Sequence, residues 1–331
     1  MTMFQNLAAV AWQSSGSDEI HDLALLFIAL TLFWTAAFYA IALSESLWAV
    51  GIPSSSRPDE NCRYVKARNV LGVLHASLVS ALVLPVVWMA TGEQSSVLFA
   101  SSEFLTTCTQ IEHPDWNSSG QAVALAGLLF TAFLFADIVI SWIHGLSSWD
   151  YVLHHVAFIT AGLIIRGNCM LPYNAAILLA MEASTPFLNV MLFFRNRGPA
   201  YGLLVQVSGI IFVVLFVLFR LILNTYGAIL LWRHRASAMP QSVPELQRCF
   251  LLGAIVAGSA LQFFWFPAIA RIFYKGLMNL FMPQSPRATH ITKCGGGRSS
   301  SEEQQREGLL KAGRGALHTD CSRRPSSTDV A

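Results

Sequence analysis

Charge is what this sequence has least of. Asp, Glu, Lys and Arg make up 12% of its 331 residues, against about 25% in a soluble domain, while 54% are hydrophobic. That excludes a water-soluble globular chain and implies an integral membrane protein. The 21 basic and 19 acidic residues nearly cancel, so nucleic acid is not an expected partner. The six cysteines contain no CxxC pair, which removes a thiolate zinc site. Nine histidines are scattered rather than clustered at three- or four-residue spacing, which excludes a membrane di-iron oxygenase. A Ser nucleophile elbow, a Walker loop and a dinucleotide fingerprint are all missing. No metal and no tightly bound cofactor are therefore expected. The first 22 residues hold no Lys or Arg, so no cleavable signal is expected and the first apolar run should stay as a helix.

What the chain does have is long apolar runs. A helix rising ~1.5 Å per residue needs about 20 apolar residues to cross a hydrocarbon layer. Seven such spans are predicted, at Leu23–Leu47, Asn69–Thr91, Gln121–His144, Trp149–Ile165, Met170–Phe194, Tyr201–Trp232 and Phe250–Lys275. Cytoplasmic loops retain Lys and Arg. Arg57, Arg63, Lys66 and Arg68 fall in the first loop, Arg195 and Arg197 in the fifth, and the tail is basic, whereas the loop Gly92–Gly120 has neither residue type. This places the N-terminus outside and the C-terminus in the cytosol, with Arg233, Arg235 and Arg248 running against the assignment.

In that orientation the sequon at Asn117 and the cysteines Cys108 and Cys169 are lumenal, so a disulfide between the two is one alternative and a pair of free thiols the other. Residues 283–331 turn to Gly, Ser, Arg, Glu and Gln, too polar to offset their ordering entropy, and are expected to be a disordered cytosolic tail. The tail carries no dilysine or HDEL-type ending. The endoplasmic reticulum is the expected host membrane, with Golgi and plasma membrane as alternatives.

Inside the apolar runs lie His75, Asp137, His154, His155, Glu182, Asn189, Arg220 and Asn224. An ionisable side chain at the centre of a membrane helix costs about 2.5–3.5 kcal/mol on insertion scales, so such residues face partners or a wet cavity. Glu182 and Asn189 are seven apart, two turns on one helical face that also carries Thr185, and Arg220 and Asn224 are spaced to stack. Asp137 and Glu182 must pair with Arg220 or a protonated His, or be neutral. Asp150, one turn before His154, is placed to orient that imidazole and leave His155 to act on a ligand. Pro186 frees a carbonyl one turn earlier, near Glu182. These residues serve either as structural ion pairs and packed histidines or as the lining of one polar cavity.

The run LHHVAFITAGLI, followed by NAAILLAMEASTPFLNVMLFFRNRG, resembles the core of the TLC domain, the lipid-handling membrane domain of ceramide synthases and related proteins. His75 in VLHAS, Asp137 in FLFADIVI and Arg220 in FVLFRLIL sit where that domain keeps a His, an Asp and an Arg. The chain departs from the synthases in having Met181-Glu182 where they carry a second His-Asp pair, and in lacking a homeobox-like insert. That pattern is similar to the TLC-domain-only branch, associated with control of phospholipid composition.

The resemblance implies an all-α membrane fold of seven transmembrane helices. Residues 1–22 form a lumenal N-terminus, 23–67 a first helix and cytosolic loop, 68–277 a six-helix TLC bundle and 278–331 the tail. It also implies a lipid or acyl chain as partner, bound or processed in a polar cavity. Candidate catalytic residues are His154, His155, Asp137 and Glu182, with His155 or His154 as base; His75, Asn189 and Arg220 are candidate lipid-binding residues. The enzyme alternative transfers an acyl group from acyl-coenzyme A, as co-substrate, to a lipid amine. The other is a non-catalytic lipid sensor or cargo receptor. A heptahelical receptor is disfavoured by the absence of a DRY-like triplet and an NPxxY ending.

Overall fold

The computed structural model describes residues 17–44, 60–91, 114–168, 171–195, 197–239, 241 and 243–281. The tail from residue 282, Cys108 and Cys169 lie outside these, as do the side chains of Asn117 and Asp150. Among the described residues every regular element is helical. α1 is Ser17–Leu43, α2 Glu60–Thr91, α3 Pro114–Ile143 and α4 Trp149–Gly167; α5 (Pro172–Ala180), a 3-10 turn (Met181–Ser184) and α6 (Thr185–Phe194) make one span. α7 (Gly202–Leu215), a π segment (Phe216–Leu223) and α8 (Asn224–Ala238) make the next, and α9 (Glu245–Phe281) the last.

These runs become helices because hydrocarbon offers backbone N–H and C=O groups no partner, so each segment must satisfy its own. Six of them are long and apolar enough to span a membrane, and the seventh, Tyr151–Arg166, is a shorter apolar helix. Large apolar side chains point outward around the bundle, among them Leu32, Leu163, Ile222 and Phe264, the last 77% exposed. Such a surface is stable against lipid and not against water. The protein is an integral membrane protein.

A helix occupies each of the seven predicted positions, six of them long enough to span, and several have longer ends than apolar content alone implies, although α1 stops at Leu43, short of the predicted Leu47. α2 begins at Glu60 rather than Asn69, so Lys66 and Arg68 lie within a helix and not in a loop. α3 begins at Pro114, which puts Asn117 in its first turn. α9 runs from Glu245 to Phe281. Polar turns at a span's end extend the helix beyond the hydrocarbon, where water can satisfy whatever the helix does not.

Around the bundle, α2 packs on α3, α3 on α4, α4 on α9, α9 on the α7–α8 span, that span on α5–α6, and α6 back on α2. The six spans thus close a ring. α1 packs against α2 and α3. Trp34 on α1 makes edge contacts with His75 of α2 and Phe133 of α3. Tyr64 stacks on His144 at 3.8 Å, and His144 Nε2 meets the Tyr39 hydroxyl at 3.2 Å. Aromatic contacts therefore tie α1, α2 and α3 at two depths.

At Gly72 the Asn189 side chain of α6 lies directly against the α2 backbone. A Cβ there would lie 2.5 Å from Asn189 Nδ2 and 3.1 Å from its Cγ, so the whole amide would have to move. Gly72→Ala is expected to cost about 1–3 kcal/mol of stability through overpacking. Adding Asn189→Ala should restore most of it, which chemical unfolding in detergent would measure.

Candidate functional site

The fifth span cannot remain a regular α-helix because Pro186 has no N–H to offer the carbonyl of Glu182. That carbonyl is taken instead by the N–H of Thr185, in a tight 3-10 turn over Met181–Ser184. The freed acceptor expected from the sequence is thus satisfied locally. What the turn supplies is direction, since it aims Glu182, Ser184 and Thr185 at the next span. There the chain answers with a wide turn, the π segment Phe216–Leu223, and the two irregular stretches pack on each other. Wide π turns inside α-helices occur disproportionately at functional sites.

Arg220 projects from the π segment. Its Nε donates to Ser184 Oγ at 3.0 Å, its Nη2 donates to Thr185 Oγ1 at 3.0 Å, and Nη2 lies 3.5 Å from Glu182 Oε1. The pairing of Glu182 with Arg220 is one the sequence anticipates. Arg220 and Asn224 do not face one neighbour, however. Asn224 Nδ2 donates to Ser259 Oγ of α9 at 3.0 Å. Arg220 reaches the fifth span and Asn224 reaches α9, so the four-residue spacing does not bring the two to one partner.

Asp137 forms a second centre. Arg68 Nε donates to Oδ1 at 2.9 Å and Nη2 to Oδ2 at 3.4 Å, while His155 Nε2 lies 3.2 Å from Oδ2. Asp137 therefore pairs with a histidine, as one expectation had it, but its arginine is Arg68 and not Arg220. The Arg68 guanidinium lies over the Tyr151 ring at 4.3 Å, and the same ring packs at 3.8 Å from that of His155. His155 Nδ1 is 3.0 Å from the Tyr151 carbonyl. A carbonyl and a carboxylate only accept, so whichever ring nitrogen carries hydrogen donates to one of them. Both ring nitrogens of His155 thus meet groups of the protein itself.

His154, turned about 100° from His155 by helix geometry, packs its ring against Phe158 at 4.6 Å and Trp265 of α9 at 5.9 Å. His75 is 1% exposed and stacks flat on Phe133 at 3.8 Å, with Phe130 and Trp34 around it. Its Nε2 has no hydrogen-bond partner among the described residues. Asn189 lies against Gly72. Lys66, nearly two turns before Gly72 on α2, donates from Nζ to the carbonyls of Leu192 and Phe193 at 2.8 and 2.9 Å, closing the end of α6.

The structure thus groups the candidate residues by contact. Glu182 and Arg220 form one set; Asp137 and His155, with Arg68, form another; His154 bridges to α9, and His75 sits in an aromatic box. α2 runs past several of them, since Arg68, Gly72 and His75 are spaced four and three apart on one helical face. Extending the His75 face back by two turns was the signal for Arg68. Ser184, Trp265 and Gln262 carried no such signal. Gln262 is 1% exposed on the face of α9 that also carries Ser259, and its Oε1 has no hydrogen-bond partner among the described residues. Among the described residues no group of His, Cys, Asp and Glu is placed to hold a metal ion.

Comparison with known proteins agrees with this architecture. The TLC-domain family profile matches residues 68–271, well over half of the chain. The chain is also similar to TLC domain-containing protein 4-B of Danio rerio, 23% identical over 261 residues that cover 78% of this chain and 89% of that protein. The matched segment begins at Arg68 and takes in Asp137, the histidine pair, Glu182 and Arg220, so the protein is a member of the TLC-domain family.

Proposed function

We propose that this protein holds a lipid against the layer where Glu182 and Arg220 meet, and by binding rather than turnover contributes to membrane lipid composition and homeostasis, in the endoplasmic reticulum. The observation that carries this reading is the juxtaposition of a 3-10 turn and a π segment, each bearing one partner of an intramembrane ion pair. Irregular backbone at membrane depth is tolerated where it is packed in protein or lines a cavity. Membership of a family that handles lipids supports the ligand class.

Binding is favoured over catalysis by the contacts of His155. A general base needs an available lone pair within reach of the proton it takes, and both His155 nitrogens meet acceptors of the protein itself. In the acyltransferase reading His154 is the base, beside Trp265. Incubation of the purified protein with labelled acyl-coenzyme A and a sphingoid base is expected to give no N-acyl product, while mass spectrometry finds a lipid that copurifies. Product that disappears in a folded His154→Ala/His155→Ala variant would overturn the binding reading in favour of acyl transfer.

A further inference from the structure

At the end of the bundle where α4 stops and α9 starts, the chain gathers arginines without acids to match. Asn168 Nδ2, just past α4, donates to Gln247 Oε1 of α9 at 3.1 Å and so pins the two helix ends together. Arg166 is two residues before this bond and Arg248 directly after it. Beneath them Ala161, Leu171, Leu231, Met239, Val243 and Leu251 form a continuous apolar cluster. This end is therefore a built surface drawn from four helices.

Part of each guanidinium is left over. Arg166 Nε and Nη2 and Arg248 Nε are shielded from solvent and have no hydrogen-bond partner among the described residues. In the stretches that meet here, 158–168, 171–180, 226–239 and 243–258, the sole carboxylate among the described residues is Glu245, which is exposed. Arg235 donates to its own Trp232 carbonyl and lies over that ring, and Arg233 is exposed. A buried charged donor left without an acceptor is costly, and the large majority of such groups in folded proteins are satisfied. A guanidinium fork offers parallel N–H groups matched to phosphate oxygens. Three of the arginines here also run against the loop-charge orientation of the chain. A local anionic ligand accounts for both anomalies.

We infer that Arg166 and Arg248 hold a phosphate group at this end of the bundle, at a site separate from the Glu182–Arg220 layer. The phosphate is either that of a lipid head group, whose depth matches a helix end, or free phosphate. The proposal does not depend on the function proposed above.

The full-length protein in detergent would be titrated with dihexanoyl phosphatidic acid, with inorganic phosphate and with dihexanoylglycerol, following the thermal unfolding midpoint. Phosphatidic acid is expected to raise the midpoint, and dihexanoylglycerol to leave it unchanged. A matching rise with inorganic phosphate assigns the site to the free ion; a rise with the lipid alone assigns it to a head group. Arg166→Gln and Arg248→Gln should each weaken the apparent affinity about tenfold or more, and Arg233→Gln should keep it. Arg166→Lys and Arg248→Lys, which preserve charge and lose the fork, serve where the Gln variants do not fold. Equal response of all these variants, or an equal rise with dihexanoylglycerol, overturns the site. Native mass spectrometry of the unmodified protein gives an independent reading, since failure to retain either phosphate-bearing probe overturns it without any variant.

Discussion

Asp137→Ala is expected to lower the unfolding free energy of the purified protein by about 3–5 kcal/mol, the usual cost of removing one partner from a buried charge cluster. Arg68 and His155 both point at this carboxylate, and its side chain is only 6% exposed. Its loss leaves two donors from different helices facing each other. Arg68→Ala should cost less, because Arg68 is 26% exposed and its removal leaves Asp137 still joined to His155. Denaturant titration of the single variants and of the Asp137→Ala/Arg68→Ala pair would measure the coupling. Equal losses for the two single changes would mean that the carboxylate does not link α2, α3 and α4.

Arg220→Met carries the second large effect, and it separates stability from function. The substitution leaves Glu182, Ser184 and Thr185 without their donor in the middle of the bundle, and a loss of about 3–5 kcal/mol is expected. Arg220→Met/Glu182→Leu should recover most of that stability, since apolar replacement of a buried ion pair is often neutral or better. It should not recover lipid. If the polar layer holds a head group, the double variant is folded, with a near-normal unfolding midpoint, yet emerges from purification depleted of the copurifying lipid seen by mass spectrometry. A stable double variant with its lipid intact would reduce Glu182 and Arg220 to a structural pair.

The two centres differ in how openly the sequence announces them. Glu182, Pro186 and Asn189 stand out against an apolar run before any fold is known, but the face that spacing assigns to Glu182 and Asn189 is divided in the structure, where Glu182 meets Arg220 and Asn189 lies against Gly72 of α2. Arg68 does not stand out. It sits beside Arg63 and Lys66 in a polar stretch that reads as a loop, and only the start of α2 at Glu60 turns that stretch into a helix aimed at Asp137. His155 was legible as an intramembrane histidine, but not as one held at both nitrogens, because the second contact comes from α3. The change of step at Arg220 was also hidden, since nothing in FVLFRLIL distinguishes a π turn from an α turn.

By itself the sequence determined that this chain lives in a membrane, which residues are out of place in lipid, and the family to which it is similar. Those properties are local: apolar length, helical spacing and the cost of a charge in hydrocarbon are set residue by residue along one segment. Tertiary structure alone decided which acid meets which base, that Arg220 and Asn224 serve different neighbours, and that Arg166 and Arg248 come to one end. Each of these depends on the rotation and depth of one helix against another. That is a property of packing between segments distant in sequence, and it has no signature within either segment.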